Sequence, residues 1–132
     1  MDITYEIGIV PLVGQIVDLY QSSGINRPVL DIHRIGEMYK NSNLIVSAWD
    51  GKDLVGISRS LTDFSYCCYL SDLAVRKVFQ RKGIGKKLIE ITMEKIGNKC
   101  TLHLLSAPGA MDFYPKMGFN KVENGFIINR TE

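Results

Sequence analysis

Two glycines one residue apart, Gly83 and Gly85, sit in the turn Gln80-Arg81-Lys82-Gly83-Ile84-Gly85, directly before an amphipathic run. A tight turn that enters a helix offers several main-chain amides at once, because the first helical N–H groups lack partners inside the helix. Such a turn suits a diphosphate. Neither glycine carries a side chain to block an oxygen, and Gly83 can take backbone angles closed to other residues. The amides of Arg81, Lys82, Gly83, Ile84, Gly85 and Lys86 are the expected donors. The side chains of Arg81 and Lys82 have two readings: phosphate contacts, or solvated charges beside a main-chain site. Arg76, Lys77, Arg81, Lys82, Lys86 and Lys87 crowd into the same stretch and would add a local positive field. The turn lacks the Gly-Lys-Ser/Thr of a mononucleotide loop. It also follows a late strand rather than the first, which is the wrong place for a dinucleotide fingerprint.

Around that turn the chain offers material for one core. It has 132 residues, 45% of them hydrophobic, and reads as a single domain over 1–132. Sixteen Lys and Arg against fourteen Asp and Glu leave a formal charge of +2, too small for a general nucleic-acid surface. The cysteines are Cys67, Cys68 and Cys100, without metal-like or disulfide-framework spacing. His33 and His103 add no metal-ligand cluster and read as structural. No basic N-terminal segment precedes an apolar run, and no run approaches the ~20 residues that span a bilayer. A cytoplasmic protein is the expectation.

The elements that must position the turn follow from periodicity. Ile3 to Ile7 alternates like a strand. Leu12 to Tyr20 carries a helical stripe, opened by Pro11 and closed by Ser22-Ser23-Gly24, and Asp31 to Lys40 is a second helix. Leu44–Trp49, Leu54–Leu61 and Tyr66–Val75 form an antiparallel meander, joined by Asp50-Gly51 and a polar turn at 63–65. Ile84 to Ile96 is a helix packed on a sheet, stopped at Gly97-Asn98. Thr101 to Leu105 follows as a strand, which gives a parallel strand–helix–strand unit. A short helix over Ala110 to Met117 precedes a closing hairpin, Phe119–Val122 and Gly125–Asn129, around Asn124-Gly125.

Residues 70–90, with Leu73-Ala74-Val75 followed by Gln80-Arg81-Lys82-Gly83-Ile84-Gly85, closely resemble the signature segment of the GCN5-related N-acetyltransferases. Asp112-Phe113-Tyr114-Pro115-Lys116-Met117-Gly118-Phe119 is similar to that family's Phe-Tyr-x-x-x-Gly-Phe element, in the family's order and at a suitable distance. Val55-Gly56 with Arg59 and Asp63 resembles its small bacterial members. The resemblance implies an α/β fold with a mixed, mostly antiparallel sheet, flanked by helices and splayed between two parallel strands where acyl-coenzyme A enters. It implies acetyl-coenzyme A as cosubstrate, held by the 80–86 turn and by the main chain of Leu73, Ala74 and Val75, with a bulge in that strand. Phe113 would pack near the cofactor or core. The acceptor would be a small-molecule or protein amine, and homodimers are frequent among small members.

Acetyl transfer to a primary amine by direct attack needs a positioned carrier, a donor to the carbonyl oxygen and a proton for the leaving sulfur. By the resemblance, Tyr114 is that general acid; from the residues alone it reads equally as packing. The base is open between Asp72 and Asp63, with Glu37 a further carboxylate. Asp72 lies beside the proposed donor strand, or only fixes a loop. Asp63 ends a strand, where an Asx-type backbone bond is an equal use. Trp49, Phe64, Tyr66 and Tyr69 line an acceptor cavity or serve as sheet aromatics. The alternative function is an acyl-coenzyme A-binding sensor or regulatory module without efficient transfer.

Overall fold

The computed structural model describes residues 2–132. Five strands form one sheet in chain order: β1 (Ile3–Ile7), β2 (Leu44–Asp50), β3 (Asp53–Thr62), β4 (Cys67–Val75) and β5 (Thr101–His103). Neighbours from β1 to β4 are antiparallel, and β5 joins β4 in parallel. Helices α1 (Val13–Ser23), α2 (Ile32–Lys40), α3 (Ile84–Ile96) and the single turn α4 (Phe113–Lys116) complete the architecture. None is long and apolar enough to cross a membrane.

Local chemistry sets the boundaries. Gly24, at φ +81°, ends α1 and donates its N–H to Tyr20 O. The Asp31 carboxylate caps α2 by accepting from Arg34 N at 3.0 Å. Between β3 and β4, Asp63 Oδ1 accepts from the amides of Ser65, Tyr66 and Cys67 at 2.9, 2.7 and 3.1 Å.

The sheet buries a different cluster on each face. Toward α1 and α2 lie Ile45, Leu54, Ile57 and Ala74, packed with Ile16, Leu19, Tyr20, Ile35 and Tyr39. Toward α3 lie Leu44, Val46, Ala48, Val55 and Cys68, packed with Ile84, Leu88 and Ile96. Strict alternation would put Leu54 and Ile57 on opposite faces. They share one because β3 skips a residue in its pairing: Trp49 opposes Leu54, Ala48 opposes Gly56, and Val55 is the extra residue. The bulge lets Val55 and Gly56 both turn toward α3. A Cβ built on Gly56 would lie 3.0 Å from Ile84 Cγ2 and 3.2 Å from Leu88 Cδ1. Its absence is what allows the helix to approach this closely.

Three expectations change. The closing hairpin does not form: after α4 the described residues contain no strand. A two-residue Asn-Gly turn of the favoured hairpin type needs positive φ at both positions, and neither Asn124 nor Gly125 has it. Val122, Phe126 and Ile128 also stay exposed, so no buried face pays the ordering entropy of two short strands. Strand β5 stops at His103 instead of Leu105, because β4 and the following chain part there. The helix expected over 110–117 is reduced to α4, preceded by a 3-10 turn at Pro108–Ala110.

Candidate active site

The chain between β4 and α3 is built to leave donors free. A 3-10 turn at Lys77–Phe79 leads out of β4, and Gln80 Nε2 returns to donate to Val75 O at 2.9 Å. Arg76 is used in fixing this connection: its Nε and Nη2 donate to Leu54 O at 3.3 and 3.0 Å, and Nη2 meets Asp18 Oδ2 at 2.9 Å. Two residues then take left-handed backbone, Arg81 at φ +63° and Gly83 at φ +85°. Such angles are uncommon for a residue with a Cβ, so Arg81 is held there by its surroundings. The first main-chain bond of the helix is Lys87 N to Gly83 O at 3.0 Å. Among the described residues the amides of Arg81 through Lys86 have no acceptor. Arg81, Lys82, Gly83 and Lys86 are exposed, so the helix mouth is open to an anion. The positive end of the α3 dipole lies at the same place. Ile84 turns its side chain into the core and offers only its amide.

Strands β4 and β5 pair over Cys67–Tyr69 and Thr101–His103 and then separate. From Leu70 to Val75, β4 keeps β3 on one side and, among the described residues, has no strand on the other. That is about 20 Å of open edge, at ~3.3 Å per residue. Within it lies a bulge. Arg59 opposes Asp72 and Ser60 opposes Leu70, which leaves Ser71 as the extra residue. The bulge reverses the facing of the strand. Cys68 packs toward α3, whereas Asp72, four residues on, meets Tyr20 of α1. Leu73 and Val75 consequently pack on the α3 side, and Ala74 in the α1–α2 cluster.

The bulge is clamped by charged groups. Arg27, in the loop between α1 and α2, donates from Nε to Asp72 Oδ1 and from Nη2 to Ser71 O, both at 2.7 Å. Arg59 donates from Nε to Asp72 Oδ2 at 2.8 Å and from Nη2 to Asp72 Oδ1 at 3.1 Å and Ser71 Oγ at 2.9 Å. Tyr20 Oη donates to Asp72 Oδ2 at 2.6 Å and is also hydrogen-bonded to Tyr39 Oη. Asp72 is completely buried. Burial by itself would raise its carboxyl, but the bonds and charge of Arg59, with Tyr20 and Arg27, outweigh that and hold it below the usual carboxylate range. Burial, with Asp72 adding to it, pushes the Tyr20 hydroxyl far up. Burial also raises Tyr39.

Tyr114 stands in α4 with its ring edge-on to Phe113 and Phe119, at centroid distances of 5.1 and 5.5 Å. Its hydroxyl makes no hydrogen bond among the described residues. Burial raises its pKa, and the positive charge of Arg27 acts against that rise. Phe113 reaches the helix mouth: a Cβ built on Gly85 would lie 3.5 Å from Phe113 Cζ, 3.9 Å from Val75 Cγ2 and 4.0 Å from Leu73 Cδ2.

The structure therefore brings together Leu73, Val75, Gly85 and Phe113 of the expected site, with Tyr114 next to Phe113 and within the field of Arg27. It does not bring Asp63 there. Asp63 caps the turn before β4, a strand length from the helix mouth, and its backbone bonds pull its pKa down to about 2. Nor do the four aromatics converge. Trp49 lies at the β2–β3 end, Phe64 and Tyr66 are exposed at the other end of β3, and Tyr69 stacks on His103 at 5.7 Å. Arg27, Tyr20 and Tyr39 are the polar residues that sequence reading passed over. Tyr20 and Tyr39 fall on apolar helical stripes, and their bonds run to Asp72 and to each other across 52 and 19 residues. No group of three or more His, Cys, Asp or Glu among the described residues is arranged to hold a metal.

Comparison with known proteins gives the same outline. The profile of the acetyltransferase (GNAT) domain matches residues 17–130. The chain is 32% identical over 92 residues to the uncharacterized N-acetyltransferase ycf52 of Pyropia yezoensis, a match covering 65% of this chain and 53% of that protein. It is 27% identical over 117 residues to a ycf52-like protein of Prochlorococcus marinus, covering 84% of this chain and 64% of the other. The chain thus spans about half the length of the first of these relatives. Among solved structures, a probable acetyltransferase of unknown function from meticillin-resistant Staphylococcus aureus superposes with a TM-score of 0.81 at 21% identity, covering 96% of this chain and all of the other. A GNAT-family acetyltransferase from Streptococcus pneumoniae gives 0.75 at 25% identity, covering 99% of this chain and 100% of its own. With its profile match, its parted parallel strands and its open helix mouth, this chain belongs to the GNAT acetyltransferase family.

Proposed function

We propose that the domain transfers an acetyl group from acetyl-coenzyme A to a primary amine by direct attack. One observation carries this reading: the open amides of Arg81 through Lys86 stand at a helix mouth that follows the open edge of β4 from Leu70 to Val75, and Gly85 of that mouth lies near Leu73 and Val75 of that strand, with Phe113 beside it. Acetyl-coenzyme A is an elongated ligand with a diphosphate and an amide-bearing arm, and it fits this arrangement. The diphosphate is held by the 81–86 amides, with Gln80 bracing the turn and Arg81 and Lys82 adding charge. The main chain of Leu73, Ala74 and Val75 pairs with the arm, and Phe113 packs beside it. When bound, the coenzyme supplies the activated acetyl group; the protein supplies position, polar donors and a proton.

Tyr114 is the proton donor to sulfur. Its hydroxyl is protonated throughout the neutral range because burial holds its pKa above the usual tyrosine value. Asp72 acts as a positioning residue. Both of its oxygens are engaged by guanidinium groups or Tyr20, and through Arg27 it fixes Ser71 O at the bulge. Asp63 acts on the turn it caps. The acceptor amine therefore arrives neutral or loses its proton to solvent.

That last point favours a second reading, an acyl-coenzyme A-binding sensor without efficient transfer. The two carboxylates expected as bases, Asp63 and Asp72, both have structural work. Calorimetry with acetyl-coenzyme A, ATP and NAD, followed by thiol release over a panel of amines, separates the readings. Heat with acetyl-coenzyme A alone and turnover with at least one amine is the expected result. Binding with an intact thioester across the panel supports the sensor. Heat with ATP or NAD and none with acetyl-coenzyme A removes both.

A further inference from the structure

Strands β4 and β5 part at one residue pair, Tyr69 and His103. The open edge of β4 begins directly beyond that pair and runs to Val75. By the transfer reading, on which the present proposal rests, the diphosphate is held at the Val75 end and the arm runs along this edge. The acyl group then lies toward the other end, beside the parting pair.

Tyr69 and His103 are opposed in a parallel ladder, so their side chains share a face of the sheet. The neighbours say which face. Cys68 packs toward α3, so Tyr69 points the other way, as does Leu61, its partner on β3. The next row on that face is Arg59 and Asp72, the clamp that Arg27 completes from the α1–α2 loop. His103 thus stands at the bulge end of the open edge. Its ring stacks on Tyr69, with centroids 5.7 Å apart and planes at 29°. A stack covers the face of an imidazole and leaves the two nitrogens on its edge free. His103 is exposed, and neither nitrogen has a hydrogen-bond or ion-pair partner among the described residues. The chain's other histidine is placed differently: His33 lies on the exposed side of α2, its Nε2 3.8 Å from Glu37 Oε1.

The reaction needs a proton acceptor. A primary amine is an ammonium near neutral pH and has no lone pair with which to attack. Asp63 and Asp72, the expected bases, are bonded elsewhere. Imidazole is the side chain suited to take a proton in this range. We propose that His103 is the general base, which takes the proton that the acceptor ammonium must lose. The freed lone pair adds to the thioester carbonyl, whose π electrons move onto oxygen. The adduct collapses and the C–S bond breaks. The thiolate takes the proton of Tyr114, and the resulting phenolate takes the excess proton from nitrogen. His103 passes its own proton to solvent. One ammonium and one thioester thus give one amide, one thiol and one proton. The ionisable groups that share the face of His103 are Cys67 and Tyr69 of β4, its main packing partner, and, one row on, Arg59, Asp72 and Arg27. Cys67 is tied to Asp63 Oδ2 at 3.8 Å, and the one carboxylate of the set, Asp72, has both oxygens bonded.

The test is steady-state acetylation of ethylamine and of trifluoroethylamine, whose fluorines leave it largely neutral near neutral pH, beside calorimetry with acetyl-coenzyme A. His103→Phe keeps a ring to stack on Tyr69 but cannot accept a proton. It should lower kcat/KM for ethylamine about tenfold or more near neutral pH, with coenzyme affinity unchanged. The deficit should shrink as the pH rises and the amine neutralises itself, and it should be absent with trifluoroethylamine. His103→Gln, which loses the stack as well as the base, should show the same difference between the two amines. Full activity of His103→Phe with ethylamine, or an equal deficit with both amines, overturns the proposal and leaves the transfer reading standing. A wild type that binds acetyl-coenzyme A and acetylates neither amine removes the transfer reading, and the base with it.

Discussion

The two ends of the open edge of β4 are polar in opposite ways. At the Val75 end, the six main-chain amides from Arg81 to Lys86 have no acceptor among the described residues, and Arg81, Lys82, Gly83 and Lys86 are exposed. At the Ser71 end, a carboxylate, two guanidinium groups and two tyrosine hydroxyls are joined in one network that is buried except for part of Arg27, with both oxygens of Asp72 bonded. Exposed donors cost little while water serves them, and they become strong when a ligand's charge replaces that water. Buried groups have no such recourse, so each must be paired within the fold. One end is therefore kept available for a ligand, and the other is kept rigid so that the bulge beside it holds its shape.

The largest effect should come from breaking the rigid end. Asp72→Asn leaves Arg59 facing a neutral amide in a buried site, and removing one partner of a buried pair typically costs 3–5 kcal/mol. Denaturant titration should show a loss of about 3 kcal/mol or more. The pH dependence has a definite sign. The folded-state pKa of Asp72 lies below its unfolded value, so its contribution is complete above about pH 4 and drains as the pH falls through the folded value. The acid limb of the wild-type stability profile should flatten in Asp72→Asn. An unchanged midpoint would mean that the network contributes nothing, and the contrast between the two ends would disappear.

Next in size is Tyr114→Phe, which touches neither end. Loss of a general acid typically lowers turnover by about 10²–10⁴. The expected outcome is a fall in kcat of about a hundredfold with the affinity for acetyl-coenzyme A retained, because the ring still packs between Phe113 and Phe119. Equal turnover would reassign Tyr114 to packing.

The elements around the open end were legible in the sequence, whereas of the closed end only Asp72 and, through the resemblance, a bulge in β4 were expected, for a physical reason. The helix mouth is local: a glycine pair, a basic turn and an amphipathic run are contiguous, so the turn over Gln80 to Gly83 and the start of α3 at Ile84 could be placed directly. The alternation of β2 and β3 and the stripe of α3 are local too, and they gave the sheet and its crossover. The closed end is assembled from Tyr20, Arg27, Tyr39, Arg59 and Asp72, which are far apart in the chain and meet only through the fold. Each looks ordinary in its own window, Tyr20 as a core residue of α1 and Arg27 as a loop cation. The bulge at Ser71 likewise leaves no mark on periodicity, since it is a mismatch between two strands. The tail failed in the opposite direction. Asn124-Gly125 is a strong local turn signal, but a hairpin needs a surface to cover, and within one chain Phe126 and Ile128 find none.

The two glycines of the mouth sharpen the open end, because they differ in what a methyl group would do. Gly83 has φ +85° with nothing near its Cβ position. Gly83→Ala should cost about 1–2 kcal/mol of stability from backbone strain, and weaken coenzyme binding as the turn shifts. Gly85 has no positive φ, and its added Cβ would make an ordinary contact with Phe113 at 3.5 Å. Gly85→Ala should leave stability level or slightly raised, as alanine favours helix, while lowering affinity where the methyl, aimed at Phe113, Val75 and Leu73, crowds the coenzyme arm. If both variants lost affinity only in proportion to stability, the mouth would be a packing feature.

The smallest effect concerns Arg81, and its sign is what matters. A residue with a Cβ held at φ +63° carries strain that glycine would not. Arg81→Gly should therefore raise stability by up to about 1 kcal/mol, less the extra freedom that glycine gives the unfolded chain. If arginine is kept in this strained place for its charge, the same substitution should weaken acetyl-coenzyme A binding several-fold, with a shallower salt dependence than the wild type. Stability and affinity would then move in opposite directions on one substitution, which packing alone does not produce. A variant that gains stability and binds as tightly at low salt as the wild type would leave the main-chain amides as the whole of the anion site.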